Sequence, residues 1–397
     1  MPDRKPGVIV TDGHNRAGLA VVRSLGRAGY RVGVCALRSP SLAGVSRYAA
    51  DAIAVPDALA DPSGFTAAVL GYARAQDASV LVPMADPSII ALLGRAPSRL
   101  TVPFPSIERW SMVADKTAVG LAAAASGITV PPGVILPSAD IGDELLRALR
   151  YPIVLKPHRS VVGKDGGRVR VSVLHAATPE DVPRLLEALP ESAFPVMAQE
   201  RIVGPGTGIF VLVWDGKLIA AFAHQRLREK PPSGGVSVYS ESVPLDRDLL
   251  DRSLDLLRRF HWQGVAMLEY KRRASDGTPF LMEINGRFWG SLQLAIDAGV
   301  DFPRLLVEAA LGRAPAPVTS YRVGARSRWW WGDVDHLLLR LRRNPRQLDL
   351  PVGAPTRLQA LGQFIGTSFG ARSDVFRWSD PKPFVRETLD WVQGRSS

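Results

Sequence analysis

Two apolar runs of strand length, Gly264 to Lys271 and Pro279 to Ile284, lie on either side of Asp276-Gly277. An Asp-Gly step between two such runs reads as a β-hairpin. This pair constrains the chain more than any other feature, because it carries Glu269 on one strand and Glu283 and Asn285 at the end of the other. Side chains alternate faces along a strand, so Glu283 and Asn285 share a face and Glu269 can join them from across the hairpin. Their neighbours Leu281, Met282 and Ile284 are apolar, which argues against a casually solvated edge. Two carboxylates and an amide oxygen are hard ligands that suit Mg²⁺, which takes one or two carboxylates together with phosphate oxygens and water. Two such ions could bridge adjacent phosphates of a nucleotide, and Mn²⁺ is compatible with the same donors. Arg287 follows on the same face, where a guanidinium would neutralise a transferring phosphoryl group or an oxyanion. The competing reading is a hairpin whose polar residues face solvent.

The beginning of the chain has a different pattern. Val8-Ile9-Val10 reads as a strand, Leu19 to Ala28 as a helix and Arg31 to Ala36 as a strand. Further strands are expected at Ile53 to Val55 and Val80 to Pro83, with a helix from Phe65 to Arg74. This is a βαβ opening of an α/β, Rossmann-like domain over residues 1–114. It places Asp12, His14, Asn15, Met84, Ala85 and Asp86 at the carboxyl ends of the strands. The first turn holds Gly13 and Gly18 but lacks the dinucleotide spacing, so it reads as an ordinary strand-to-helix turn capped by Asp12 or Asn15.

From Asp115-Lys116, which opens a helix over Thr117 to Ala125, the pattern changes again. The strand Tyr151 to Pro157 carries Lys156, a cation costly to bury without an anion. The glycine-rich stretch Ser160 to Arg168, with Gly163, Gly166 and Gly167, can fold over phosphates through its backbone N–H groups. With Lys116 and Lys156 it forms a triphosphate cradle that is not a Walker A motif; taken singly, each lysine reads as a surface residue. Gln199, Glu200, Arg201, Ile202 and Val203 lead into the turn Gly204 to Gly208 and could present backbone groups and apolar side chains to a purine. Gln225 to Lys230, followed by Pro231 to Gly235, reads as a basic loop between strands. Its Arg226 and Arg228 could close on a substrate or a γ-phosphate; the other reading is a solvated charged loop.

Composition bounds the partners. The 397 residues suffice for two or three packed units, and 46% hydrophobic with 22% charged residues is globular. The formal charge of +11 suits anionic partners without choosing among them. No nucleic-acid module interleaves basic and aromatic residues on one unit, although the C-terminal part comes near it. No apolar stretch has the length of a membrane span. The segment Met1 to Gly7 has no apolar signal core, and the single Cys35 allows no internal disulfide, so the expected location is the cytoplasm. Beyond Pro315, Arg326, Arg328, Trp329 to Trp331 and Leu337 to Leu341 with Arg340, Arg342 and Arg343 form a basic, aromatic, amphipathic extension over residues 318–397. It either docks on a membrane surface or packs on the catalytic domain, with packing preferred.

In the order of these parts the chain resembles the ATP-grasp superfamily. The resemblance rests on Asp115-Lys116, Ile153 to Pro157, the glycine loop, Gln199-Glu200, Glu269 and, above all, Glu283-Ile284-Asn285-Gly286-Arg287. It covers roughly residues 1–315 and is nearest to predicted carboxylate–amine ligases, similar to the ATP-binding halves of carbamoyl-phosphate synthase and to biotin carboxylase. It implies a Rossmann-like domain, an ATP-grasp domain of two α+β subdomains over 115–317 with a lid near 150–198, and the C-terminal extension. It implies that Lys116 and Lys156 contact ATP phosphates, that Glu200 to Val203 line the adenine pocket, that Glu269, Glu283 and Asn285 bind Mg²⁺, and that Arg287 steadies an acyl phosphate or its adduct. The implied activity is an ATP-dependent ligase that activates a carboxylate for attack by an amine or other nucleophile; the alternatives are a small-molecule kinase on the same fold and a non-catalytic nucleotide-binding module. The substrates are small molecules, and a homo-oligomer is compatible. The sequence departs from the family at Gly204 to Gly208, where many members carry an acid for the ribose.

Overall fold

The computed structural model describes residues 5–140, 143–164, 167–345, 348, 350, 354–367 and 370–395. Strands β1 (Gly7–Val10), β2 (Arg31–Ala36), β3 (Asp51–Ala54) and β4 (Ala78–Val82) form a parallel sheet in the order β3-β2-β1-β4. Helix Arg16–Arg27 covers one face with Leu19, Val22 and Leu25, and helix Pro62–Ala75 covers the other with Phe65 and Val69. Burial on both faces explains why these strands read as continuous apolar runs.

The second sheet contains β5 (Gly133–Leu136) and β6 (Ile153–Pro157). The glycine-rich stretch then folds as a hairpin of its own, β7 (Val161–Lys164) and β8 (Gly167–Arg170). After β9 (Leu174–Ala176) and β10 (Val196–Glu200), the sheet is ordered β5-β10-β6-β9. Its core is Leu136, Ile153, Leu155, Val182, Leu186 and Val196.

The third sheet is the frame of the site. It runs β15-β14-β11-β12-β13-β16-β17, built from β11 (Gly206–Trp214), β12 (Lys217–Lys230), β13 (Val236–Ser242), β14 (Gly264–Arg272), β15 (Pro279–Asn285), β16 (Arg326–Arg328) and β17 (Arg372–Ser373). Alternation sorts its residues into two cores. Ile209, Val211, Ala221, Leu268 and Tyr270 pack under helix Arg247–Arg259, whereas Phe210, Phe222, Met267 and Trp289 pack toward the first domain.

One expectation is corrected here. Gln225 to Lys230 is not a loop; it is the second half of the 14-residue strand β12, paired with β13. Local charge density reads as solvent exposure, but β13 and the residues across the cleft supply partners. In the C-terminal extension, Ser327 to Trp329, Asp333, Leu337 and Arg340 are buried, whereas Arg326 and Leu341 to Arg343 are exposed. Ser327 and Arg328 pair with β13, and Trp329 donates from Nε1 to Glu387 at 2.8 Å. Trp331 stacks on Trp391 at 4.1 Å, and Arg328 and Asp333 form a buried ion pair of 2.6 Å. These elements complete the central sheet. Among the described residues no helix is long and apolar enough to cross a membrane.

Candidate nucleotide and metal site

The hairpin places the acids as the alternation predicts. Glu269 and Glu283 are direct partners across β14 and β15, and Asn285 pairs with Met267 one step further along the same face. An irregular step leaves Met282 extra between the paired positions Glu283 and Leu281. Such a bulge turns the end of a strand. The row continues from Glu269 to Gly208 and His224. A side chain at Gly208 would meet the ring of Phe210 at 2.7 Å. His224 is fully buried, stacks on Phe210 and pairs with Ser291 Oγ at 2.8 Å; burial pushes its pKa down to about 3, so it is neutral.

Cations converge on these acids. Lys116 Nζ lies 3.3 Å from Glu283 and donates to Ser160 Oγ at 2.9 Å. Asp115 caps the helix that carries Lys116, accepting from the backbone of Thr117 and Ala118. Lys156 Nζ donates to Met282 O at 3.5 Å and lies near its sulfur. Burial lowers the Lys156 pKa to about 8 against the attraction of Glu283. Glu283 itself is held well below the usual carboxylate range: burial opposes this, and Lys116, the Asn285 amide, Lys156 and Arg287 outweigh it. Arg287 donates from Nε to Asp86 at 2.8 Å and from its fork to Asn285 Oδ1 at 3.0 Å. Asp86 begins a helix at the carboxyl edge of the first sheet, so this contact joins that sheet to the end of β15. Trp110, Lys116, Arg159, Ser160, Glu283 and Asn285 line one cleft there with Asp86.

Arg226 and Arg228 part company. Arg226 donates to Glu269 at 2.7 Å and to Glu229 at 2.9 Å. A bulge between them pairs Arg226 with Ser240 but Arg228 with Tyr239, which sends the two side chains to opposite faces. Arg228 instead grips Asp333 with both arms of its fork at 2.6 Å, away from the acids.

Gln199 and Glu200 end β10, and Arg201 to Val203 carry the chain across to β11. Arg201 donates to Ser233 O at 3.5 Å, and Val203 O accepts from Ala274. Gly163 and Gly167 sit in the β7–β8 hairpin; Gly166 lies outside the described residues. Three neighbours were not legible as site residues. Ser160 meets Lys116. Lys271 and Glu229 flank Arg226, and the Glu229 carboxylate stands 3.2 Å from where a Gly206 side chain would begin. The signal for Glu229 was present only as register: β12 pairs with β11, which starts just after residues 199–203.

The donor set fits a divalent cation held jointly with a nucleotide. Among the described residues no three His, Cys, Asp or Glu side chains cluster. Two carboxylates and an amide are too few for a dedicated cage and enough for Mg²⁺ completed by phosphate and water. The buried Lys156, whose hydrogen-bond partners among the described residues are a carbonyl and a thioether, fits an anion beside them.

A parallel sheet, a second sheet with its own small hairpin and a central sheet carrying paired acids opposite buried lysines make up the ATP-grasp fold. The structure resembles biotin carboxylase from Campylobacter jejuni solved as a β,γ-ATP complex, with a TM-score of 0.63 and 15% identity over 82% of this chain and 75% of that one. L-amino acid ligase from Bacillus licheniformis gives 0.60 and 16% over 79% and 76%. N5-carboxyaminoimidazole synthetase from Staphylococcus aureus gives 0.60 and 13% over 81% of each chain. More particularly, residues 192–330 match the family described as ATP-grasp in the biosynthetic pathway with Ter operon. No curated protein sequence matches the chain.

Proposed function

We propose that this protein is an ATP-dependent ligase that activates a substrate carboxylate as an acyl phosphate for attack by an amine or other nucleophile. The observation that carries the reading is the direct pairing of Glu269 with Glu283, with Asn285 and Arg287 beyond them and Lys116 and Lys156 turned onto them. Bound Mg–ATP would supply the phosphoryl group and the ions that neutralise its charge. Glu269, Glu283 and Asn285 would hold those ions, and Lys116 and Lys156 the phosphates. Gln199 to Val203 would take the base. Glu229, beside Gly206, would take the place of the acid missing from Gly204 to Gly208. Arg287, oriented by Asp86 and Asn285, would steady charge on the acyl group, and Arg226 would exchange Glu269 for substrate charge. All of these act by positioning and charge, with no side-chain nucleophile.

The test is phosphate release from ATP with pairs of candidate acids and amines. Free phosphate that appears only when both partners are present, together with their condensed product, supports a ligase. Phosphate retained on the acceptor would make the protein a kinase, and no turnover with nucleotide still bound would make it a binding module.

A further inference from the structure

Helix Arg357–Gly366 carries apolar side chains on two opposite sides. It turns Ala360, Phe364 and Thr367 toward the protein, where Phe364 meets the ring of Trp330 at 5.9 Å and the guanidinium of Arg328 at 4.2 Å. Leu358, Leu361 and Ile365, spaced as one helical stripe, point outward, and Leu358 is 81% and Ile365 56% exposed. Single exposed apolar residues need no explanation, but a stripe along one helix does.

Charge selects what covers it. Helix Trp330–Arg342 ends in the exposed run Leu341-Arg342-Arg343, and Arg357 is tied to that end by donating to the Arg343 carbonyl at 3.3 Å. Three exposed arginines therefore stand at the head of the apolar stripe. Between Leu341 and Thr367 the sequence holds one acid, Asp349, which lies outside the described residues. A second copy of the chain docked on this face would bring its own three arginines into the same interface, on a protein already at +11. An anionic lipid surface offers the complement to both halves: headgroups for the arginines and acyl boundary for the leucines.

We propose that the outer face of helix Arg357–Gly366, with Arg342, Arg343 and Arg357, docks the protein on anionic membrane surfaces. The basic, aromatic stretch before it serves as the internal mount of that helix rather than as the contact itself.

The full chain is sedimented with vesicles of phosphatidylcholine alone and of phosphatidylcholine with phosphatidylglycerol, at several salt concentrations. The expected result is binding to the mixed vesicles, weakened by salt, and none to phosphatidylcholine. Leu358→Gln with Ile365→Gln should lower partitioning by about tenfold or more. Arg342→Gln, Arg343→Gln and Arg357→Gln together should do the same and flatten the salt dependence. Both variants change exposed positions, and unchanged melting temperatures and nucleotide binding confirm that they fold. No binding to the mixed vesicles, or binding that both variants leave unchanged, overturns the proposal. So does self-association of the native chain in solution that Leu358→Gln with Ile365→Gln abolishes, which would assign the face to a second copy.

Discussion

Glu269 and Glu283 occupy directly opposed positions on β14 and β15, yet each carboxylate is neutralised by a cation from a different part of the chain. Arg226 of the same sheet holds Glu269 at 2.7 Å, whereas Lys116, on a helix preceding β5, holds Glu283 at 3.3 Å. Two acids this close repel each other unless cations separate them. Under the proposed function, metal ions would take the place of these protein cations.

Neutralising either acid tests this arrangement. Glu283→Gln and Glu269→Gln should each lower Mg-dependent turnover by about 100-fold or more, and the double variant should lose much less than the product of the two. Nucleotide binding titrated against Mg²⁺ is the deciding measurement. Unchanged Mg²⁺ dependence in Glu283→Gln removes the metal assignment.

Lys156 gives a pH dependence of definite sign. Burial lowers its pKa from 10.5 to about 8, so between those values the folded chain binds fewer protons than the unfolded one. The burial penalty on this group is present in full below pH 8, and stability rises with pH as the ammonium is lost across that window. Nucleotide affinity should move the opposite way, weakening above pH 8 as the same charge disappears. Lys156→Met should stabilise the nucleotide-free protein by about 1–3 kcal/mol near neutrality while abolishing nucleotide binding. Lys156→Arg should remove the pH slope in affinity. Thermal melts and titrations from pH 7 to pH 10 read both effects.

Much of this was legible where one local rule decides. The β14–β15 hairpin follows from strand-length runs around Asp-Gly, and the opposition of Glu269 and Glu283 from period-two alternation. The parallel sheet follows from apolar runs separated by helical patterns. What failed depended on partners distant in sequence. Gln225 to Lys230 looked like a loop because its charges find their partners in Glu269, Asp333 and Asp335, all remote. The bulge that separates Arg226 from Arg228 leaves no mark in composition. The arginines and tryptophans after Ala325 left packing and surface docking both open, with packing preferred, because nothing local shows Glu387, Trp391 or Phe364 waiting for them.

Gly286 explains its own place between Asn285 and Arg287. A Cβ there would come within 2.4 Å of the Trp262 ring, which is 4% exposed, while Trp110 Nε1 donates to the Gly286 carbonyl at 3.0 Å. Two buried tryptophans therefore fix the turn that carries Asn285 and Arg287. Gly286→Ala should cost about 1–3 kcal/mol in stability. It should also lower kcat beyond what the lost stability explains, because Asn285 and Arg287 move with the turn. Chemical denaturation together with kinetics on the folded fraction separates the two losses.

The Arg287–Asp86 contact should matter to catalysis more than to folding. The two side chains are 28% and 25% exposed, so the pair is worth about 1 kcal/mol or less in stability. Asp86 nevertheless orients a guanidinium that also donates to Asn285. Asp86→Ala should leave Mg–nucleotide affinity within about threefold of native and lower kcat by about tenfold or more, through loss of orientation. Arg287→Lys should lose as much, because an ammonium cannot reproduce the fork between Asp86 and Asn285. Equal losses in nucleotide affinity and kcat would instead make the pair a structural clamp.

Asp380 provides a last test, of whether residues after 318 are an appendage. Its carboxylate is buried among the first domain's groups: Arg23 Nε donates to it at 2.9 Å, Ser46 Oγ at 2.6 Å and the backbone of Arg47 at 2.9 Å. Arg23 also donates to the Asp380 carbonyl at 2.9 Å, and both side chains are 1% exposed. Removing one partner strands a guanidinium in the core, at a cost of about 3–5 kcal/mol. Asp380→Ala should therefore destabilise the whole protein, in one transition rather than as early melting of a C-terminal unit. A chain ending before residue 318 loses this contact and the strands β16 and β17 together. Calorimetry that finds an unchanged main transition with a separate early one would show that the C-terminal segment folds independently.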